Sequence, residues 1–167
     1  MTRSRSPSRE TPPDAETRVT ADHHESLRIW LRLLACNNLV SNRVRQRLQD
    51  KFAVTLPRFD LLAQLERAQN GLKMGELTQR LMVTGGNVTG IVDALEAEGL
   101  VVRENDEDDR RAIRVKLTRT GAQQFRRMAT EHERWIVELF DKLSAKQKHQ
   151  LAALLAALKQ SLLENPK

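Results

Sequence analysis

The segment from Met74 to Thr118 constrains the fold of this chain most strongly, because it joins two helical patterns, a turn and two strand patterns in a fixed order. Leu77 and Leu81 lie four residues apart, as they would on one face of a helix. A second apolar stripe follows at helical spacing and consists of Val88, Ile91, Val92 and Leu95. Between the stripes, the run from Val83 to Gly86 is too short for anything but a sharp turn. The pattern predicts two helices joined by that turn.

The residues around and after the second stripe predict its ends and a short hairpin. Thr84 is suited to cap the second helix, and Gly99 is suited to end it. A short apolar strand then runs from Leu100 to Val102, and in a second strand Ile113, Val115 and Leu117 alternate with Arg114 and Lys116. The run ENDEDDRR between them has turn formers and no apolar residue, which is typical of a hairpin tip. We therefore predict a mainly α fold with a small β-hairpin wing: a winged helix-turn-helix core, with the basic face of its last strand outward.

Long helices are predicted on both sides of this core. The first runs from Glu25 to about Lys51, and Leu56-Pro57 opens the next, because proline suits the first helical turn. Thr118 is predicted to cap a further long helix, and the run from Ser144 to Gln147 is a capping box that starts the last one. The leucine stripe of this last helix is wider than a lone terminal helix needs, so we expect a partner chain to cover it.

Composition narrows the function classes. Lys and Arg number 28 against 22 acidic residues, and this excess favours an acidic partner, with nucleic acid first. No apolar run is long enough to span a membrane, and the basic start MTRSRSPSRE lacks the apolar region of a secretory signal, so we expect a cytoplasmic protein. No phosphate loop, G-x-S-x-G, H-E-x-x-H or CxxC motif is present, which argues against an enzyme and predicts no cofactor.

The run from Val83 to Gly121 resembles the signature of the MarR (multiple antibiotic resistance regulator) family. In that family, a V-D-x-L-E-x-x-G-L-V sequence ends the recognition helix, D-R-R marks the wing tip and L-T-x-x-G closes the wing. This chain carries the matching segments Val92 to Glu96, Gly99 to Val101, Asp109 to Arg111, and Leu117-Thr118 with Gly121. The resemblance implies a regulator of transcription, most simply a repressor, that binds a pseudo-palindromic DNA operator as a homodimer through its N- and C-terminal helices.

Several residues are candidates for contact with DNA. At the start of the second helix, Asn87 is suited to a bidentate contact with adenine, and Thr89 to a phosphate or a thymine methyl. The resemblance implies that Asp109 braces an arginine in the minor groove, and either Arg110 or Arg111 fills that role. The remaining candidates are the turn and helix residues Thr84, Gly86 and Gly90 and the phosphate contacts Thr78, Gln79, Arg80, Arg114 and Lys116.

The first long helix carries a polar interruption. Its apolar stripe continues into Asn37, Asn38 and Ser41, and buried amides need partners. The resemblance implies an effector pocket here for an aromatic carboxylate or an aromatic acyl-CoA thioester. Its candidates are Trp30 and Phe59 as lining, Asn38 to orient a polar group, and Arg28 with Arg32 to hold a carboxylate or phosphate. Alternatively, the amides bond across a dimer and the arginines form a solvated face.

Three rival functions rest on fewer residues. Oxidation of Cys36 would release DNA in a redox-sensing repressor, but the chain has no tyrosine to surround the thiol, and a buried structural cysteine is favoured. A metal site is not predicted, because the adjacent His23 and His24 would point to different sides of a helix. A non-specific architectural DNA binder would also suit the basic composition, and competition with bulk DNA would expose it.

These expectations divide the chain into four parts. Residues 1–20 form a disordered basic tail, since they hold too little apolar surface to fold, and their arginines either contact phosphates or are solvated. Residues 21–55 hold the N-terminal helix for dimerisation and effector binding. Residues 56–120 form the winged helix-turn-helix DNA-binding domain, and residues 121–167 form the C-terminal dimerisation helices.

Overall fold

The computed structural model describes residues 25–81, 85–106 and 112–164. The predicted tail, the Thr84 cap, the Asp109 brace and the wing-tip arginines Arg110 and Arg111 lie outside these ranges. The elements, in chain order, are α1 (Glu25–Phe52), α2 (Leu56–Arg67), β1 (Leu72–Lys73), α3 (Met74–Leu81), α4 (Gly85–Ala97), β2 (Val101–Asn105), β3 (Ile113–Leu117), α5 (Arg119–Leu139) and α6 (Ala145–Glu164). The prediction of a mainly α chain with a small β-wing is confirmed.

The predicted helix ends are formed by local hydrogen bonds. The Thr118 side chain accepts from the Gly121 N–H at 3.0 Å and caps α5. Before α6, the Gln147 side chain accepts from the Ser144 N–H at 2.8 Å, and the Ser144 hydroxyl accepts from the Gln147 N–H at 3.3 Å. Gly99 follows α4 with a φ of +70°, a left-handed conformation that suits glycine at a helix end. The capping box at Ser144, the cap at Thr118 and the helix end at Gly99 are therefore confirmed.

The sheet has three antiparallel strands in the order β1-β3-β2. Val101 pairs with Leu117 and Asn105 with Ile113, while Leu72 of β1 pairs with Val115. The sequence predicted a hairpin alone, because a two-residue strand shows no alternation. Strand β2, the first strand of the predicted hairpin, begins one residue later than predicted and continues into the polar residues up to Asn105. Its extent follows its pairing with β3 and not its apolar character.

One side chain of β3 departs from the predicted alternation. Ile113 is exposed, although it was expected on the buried face with Val115. It lies opposite Asn105 in the ladder, and Asn105 is exposed as well. The apolar face of the hairpin is thus buried at Val115 but exposed at Ile113, in the last residue pair before the hairpin tip.

The described chain falls into two compact units that divide within α1, between Arg43 and Val44. The second unit holds the buried core. Its apolar side chains come from every element between the end of α1 and α5: Val44, Leu48, Phe59, Leu61, Leu62, Leu65, Leu72, Leu77, Val88, Val92, Leu95, Leu100, Val101, Val115, Phe125, Met128 and Trp135.

Aromatic rings and ion pairs join the helices of the second unit. The Phe59 ring lies 5.5 Å from the Phe125 ring and 4.9 Å from the His132 ring, which packs α2 against α5. Trp135 of α5 contacts the end of α1 in the same way, with Phe52 at 6.3 Å. These contacts pack α2 and the end of α1 against the same long helix, α5.

Two helical surfaces are left uncovered. None of the residues of α6, all of which the structure describes, is buried. In the first unit, Cys36 is exposed, so the prediction of a buried cysteine is wrong for the single chain. Cys36 lies on α1, which is the one element that the structure describes in this unit. Among the described residues, no helix is long and apolar enough to cross a membrane.

Candidate nucleic-acid interface

Helix α4 presents two different faces. Val88 and Val92 are fully buried, and Leu95 is nearly so. Asn87 and Thr89, near the start of the helix, are exposed. Gly90 is exposed too, and a side chain added there would meet no heavy atom within 4 Å. The structure therefore places these three predicted residues together on the face that the core leaves open.

Helix α3 precedes α4 and is anchored at its first turn. The Lys73 N–H donates to a Glu76 carboxylate oxygen at 2.6 Å, so the acid occupies the positive end of the helix. Thr78 is half-buried, and its hydroxyl donates to the Met74 carbonyl at 3.0 Å within the same helix. Gln79 and Arg80 are exposed. They remain predictions as phosphate contacts, with Arg80 better placed for that role than Thr78.

Two arginines outside α4 hold its C-terminal half. Arg103 of β2 pairs with both Asp93 and Glu96, and its backbone N–H also donates to Glu96 at 3.1 Å. Arg58 of α2 pairs with Glu98. The wing and α2 are thus both tied to the helix that carries the exposed face. Sequence reasoning missed both arginines, because their partners lie 10 and 40 residues away along the chain for Arg103–Asp93 and Arg58–Glu98.

Asp106, at the end of β2, is buried beneath the wing. Its carboxylate accepts from Arg114 Nε at 2.9 Å and from Arg114 Nη2 at 2.5 Å, and Lys73 Nζ lies 3.3 Å from its other oxygen. The hydrogen bond from Arg114 is the main reason that the pKa of Asp106 falls to about 2, and burial opposes this shift. The sequence predicted only that Asp106 belongs to the polar run at the hairpin tip, and the structure shows it buried directly after β2.

Both basic side chains of β3 therefore have acidic partners. Arg114 is directed toward Asp106 and also donates to the Gly71 carbonyl at 3.0 Å. Lys116 pairs with Glu104 of β2 at 2.7 Å, in a more exposed position. The sequence expected both side chains to point outward from the sheet toward phosphate. That role stays a prediction, but for Arg114 it competes with an inward network.

Six of the seven predicted effector residues belong to the first unit, and Phe59 belongs to the second. Trp30, Asn37 and Asn38 are exposed on α1, Arg32 is exposed there as well, and Arg28 and Ser41 are half-buried. Phe59 belongs to the buried aromatic cluster of the second unit. The effector pocket stays a prediction. A small open pocket of about 90 Å³ lies elsewhere, lined by Phe52, Val54, Gln124, Arg127 and Met128.

Comparison with known proteins supports the winged arrangement. A family model described as the MarR family matches residues 54–112. The HTH-type transcriptional regulator PecS of Dickeya dadantii (strain 3937) is 28% identical over 130 residues, which are 77% of this chain and 78% of PecS.

Two solved structures share the fold. A MarR family transcriptional regulator from Silicibacter pomeroyi is 33% identical, with a TM-score of 0.70 over 82% of this chain and 94% of that one. Sco3205, a MarR family transcriptional regulator from Streptomyces coelicolor solved in complex with DNA, is 24% identical, with a TM-score of 0.71 over 87% of this chain and 92% of that one. The second likeness shows the fold alone.

Proposed function

Because the chain belongs to the MarR family of transcriptional regulators, we propose that it binds a specific DNA operator as a homodimer. The observation that carries the proposal is the open face of α4, where Asn87, Thr89 and Gly90 are exposed while Val88, Val92 and Leu95 are buried and Ile91 is half-buried. A helix of this kind enters the major groove with its N-terminal residues toward the bases. Its relatives are regulators and not enzymes.

The contacts divide into those that specify sequence and those that position the protein. Asn87 is the base-reading residue, because its amide can accept and donate on one adenine edge. Arg80 is exposed at the end of α3 and contacts phosphate, which carries no sequence information. Sco3205, which shares the fold, was solved in complex with DNA, and this is consistent with DNA binding by such a fold.

Dimerisation follows from the exposed leucines of α6. A monomer would leave six of them in water, although soluble proteins seldom expose contiguous apolar surface: Leu151, Leu154, Leu155, Leu158, Leu162 and Leu163. A second copy covers this surface in a twofold arrangement, which presents two copies of α4 to successive major grooves about 34 Å apart. The operator is accordingly a pseudo-palindrome.

The regulator represses by occupying a promoter and releases DNA when an effector binds. The effector is a small aromatic acid or its CoA thioester, because Arg28 and Arg32 lie four residues apart on α1, close to the exposed Trp30. A ligand that favours a dimer with the wrong α4 spacing weakens DNA binding, and DNA weakens ligand binding by the same factor.

The DNA-binding proposal is tested by titrating Asn87→Ala against an operator duplex selected by the wild-type protein from a random pool. We expect its binding free energy to fall by about 1–3 kcal/mol on the operator, with little change on an unrelated duplex. Asn70→Ala removes an exposed amide from the turn before β1 and is the matched control. Equal affinity of the wild-type protein for both duplexes would instead indicate an architectural DNA binder.

The effector proposal is tested by repeating the wild-type titration with aromatic acids, with their CoA thioesters and with peroxide. The pocket is supported if an acid or thioester weakens operator binding by the wild-type protein and has no such effect on Arg28→Ala. If only peroxide weakens binding, the pocket proposal fails and the exposed Cys36 becomes the sensor. Cys36→Ser is the control that separates the two triggers.

A further inference from the structure

The carboxylate of Asp106 occupies an unusual position for an acid next to a hairpin tip. Its side chain is only 1% exposed, whereas the Glu104 side chain, two residues earlier, is 48% exposed. The Asp106 N–H donates to the Ala112 carbonyl at 2.9 Å and so continues the pairing of β2 with the chain before β3. A buried carboxylate is retained when it is paired and hydrogen-bonded, because burial otherwise penalises its charge.

Asp106 joins two other strands through separate oxygens. One oxygen accepts both hydrogen bonds from Arg114 of β3, and the other faces Lys73 Nζ of β1. Arg114 also reaches back to the Gly71 carbonyl, 43 residues away along the chain. Gly71 has a φ of +75°, and an added Cβ would collide with the Val115 carbonyl and the Lys116 side chain. We call Asp106, Arg114 and Lys73 the wing-base cluster.

The wing-base cluster is continuous with the helix-turn-helix. Lys73, which faces Asp106 through its ammonium group, receives the Glu76 carboxylate at its backbone N–H. Glu76 lies in the first turn of α3, so one chain of polar contacts runs from α3 through β1 to the end of β2. A network around a buried carboxylate restricts the orientation of the elements that it joins, because the carboxylate needs its partners in place.

The geometry of Arg114 separates two roles for this residue. Its guanidinium directs three of five N–H donors at Asp106 and Gly71, in a rigid planar fork. A guanidinium held in this way orients a carboxylate and a strand. A phosphate contact would instead need the fork to turn outward and leave the Asp106 charge buried without its main partner.

We propose that Asp106 is a positioning residue for DNA binding: with Arg114 and Lys73 it fixes the wing hairpin, β2 with β3, relative to the helix-turn-helix. Arg114 acts on DNA through this cluster and not as a phosphate contact. The inference rests on the proposed DNA-binding function. It assigns the wing-base cluster to operator specificity, because a correctly placed wing matters for the operator and not for electrostatic binding to any duplex.

The test compares Asp106→Asn, Arg114→Met and the double variant on the selected operator and on an unrelated duplex, over a range of salt concentrations. Asparagine is nearly isosteric with aspartate but offers one acceptor oxygen, so it cannot serve Arg114 and Lys73 together. Glu104→Gln is the matched control, since it removes the same charge from an exposed acid that pairs with the neighbouring basic residue of β3.

Each single variant is expected to weaken operator binding about tenfold or more, while affinity for the unrelated duplex stays at the level of the Glu104→Gln control. The double variant is expected to be no weaker than either single variant, because the two residues act as one unit. The slope of log affinity against log salt stays unchanged in Arg114→Met. A lost phosphate contact would lower that slope by about 0.9.

Two results would overturn the inference. Arg114→Met could weaken both duplexes equally and lower the salt slope, or Asp106→Asn could bind the operator as the wild type does. Thermal unfolding of each variant is measured alongside its titration. If Asp106→Asn does not fold, the double variant keeps the test valid, because it replaces both partners and leaves no arginine without its carboxylate. If the wild type prefers no duplex, the proposed function fails and the inference falls with it.

Discussion

Helices α4 and α6 carry the same kind of apolar repeat in opposite environments. In α4, Val88, Val92 and Leu95 are buried by the second unit's own core. In α6, leucines at equivalent spacing are exposed, and Leu154 retains 70% of its accessible surface. The difference teaches that an apolar stripe predicts a helix with a side to bury but does not identify what covers it.

The polar side chains of these two helices also differ in their partners. Asp93 and Glu96 of α4 pair with Arg103 of β2, and Glu98, directly after α4, pairs with Arg58 of α2, so the orientation of α4 is fixed from two sides. Helix α6 has local contacts, such as the hydrogen bond from Gln160 to Glu164 at 2.7 Å. Helix α4 is held by other elements of its own chain, whereas the exposed leucines of α6 form the surface that we propose a second chain covers.

The largest expected effect comes from shortening a buried side chain of α4. Leu95→Ala should lower the free energy of unfolding by about 2–5 kcal/mol, because it leaves a cavity in a packed core. Urea unfolding measures this loss, which should not depend on protein concentration.

Leu158→Ala on α6 is the contrasting variant. It should spare the core and weaken the dimer roughly tenfold to a hundredfold, as measured by sedimentation, if a partner buries this leucine fully. Equal, concentration-independent losses of stability in both variants would contradict the distinction between the two helices.

A smaller effect is expected where α5 meets the core. Gly121 lies in the first turn of α5, and an added Cβ would collide with the Leu100 backbone carbonyl. Gly121→Ala should therefore cost about 1–3 kcal/mol of unfolding free energy, since the chain must shift to make room. Thermal and urea unfolding would measure it.

Gly90→Ala in α4 is the matched control for this substitution. An added Cβ has no heavy atom within 4 Å, and a helical glycine replaced by alanine gains up to about 1 kcal/mol of stability. A stabilising Gly121→Ala would show that the close approach of α5 to Leu100 is relaxed in solution.

The smallest effect is a pH dependence of the wing-base cluster. The pKa of Asp106 lies at about 2 in the folded chain, below its ordinary value of 3.8. The carboxylate therefore stabilises the folded state above about pH 4, and this contribution is lost as the pH falls through about 2. The stability difference between wild type and Asp106→Asn, followed by urea unfolding, should shrink over that interval. A constant difference would contradict it.

Much of the fold and part of the site could be predicted from the sequence. The caps at Thr118 and Ser144 were predictable because each is made within a few residues. The division of α4 into buried and exposed faces was predictable from helical spacing, which placed Asn87 and Thr89 opposite the apolar stripe.

The rest depended on pairings between distant residues. Strand β1 is two residues long and exists through its pairing with Val115 and Arg114. The same pairing brings Lys73 next to Asp106, so an acid in a charged hairpin run becomes a buried one. Ile113 shows the converse, since its pattern predicted burial and its place at the end of the ladder leaves it exposed.

The sequence by itself determined the helices, the caps at Thr118 and Ser144, the winged order from Met74 to Thr118 and the open face of α4. These features depend on residue spacing and on hydrogen bonds between near neighbours, and both can be read from the sequence. Only the tertiary structure decided that Arg114 turns inward to Asp106, that Arg103 ties the wing to α4, and that the leucines of α6 are exposed among the described residues. Those outcomes depend on which distant elements meet, and local periodicity carries no record of that.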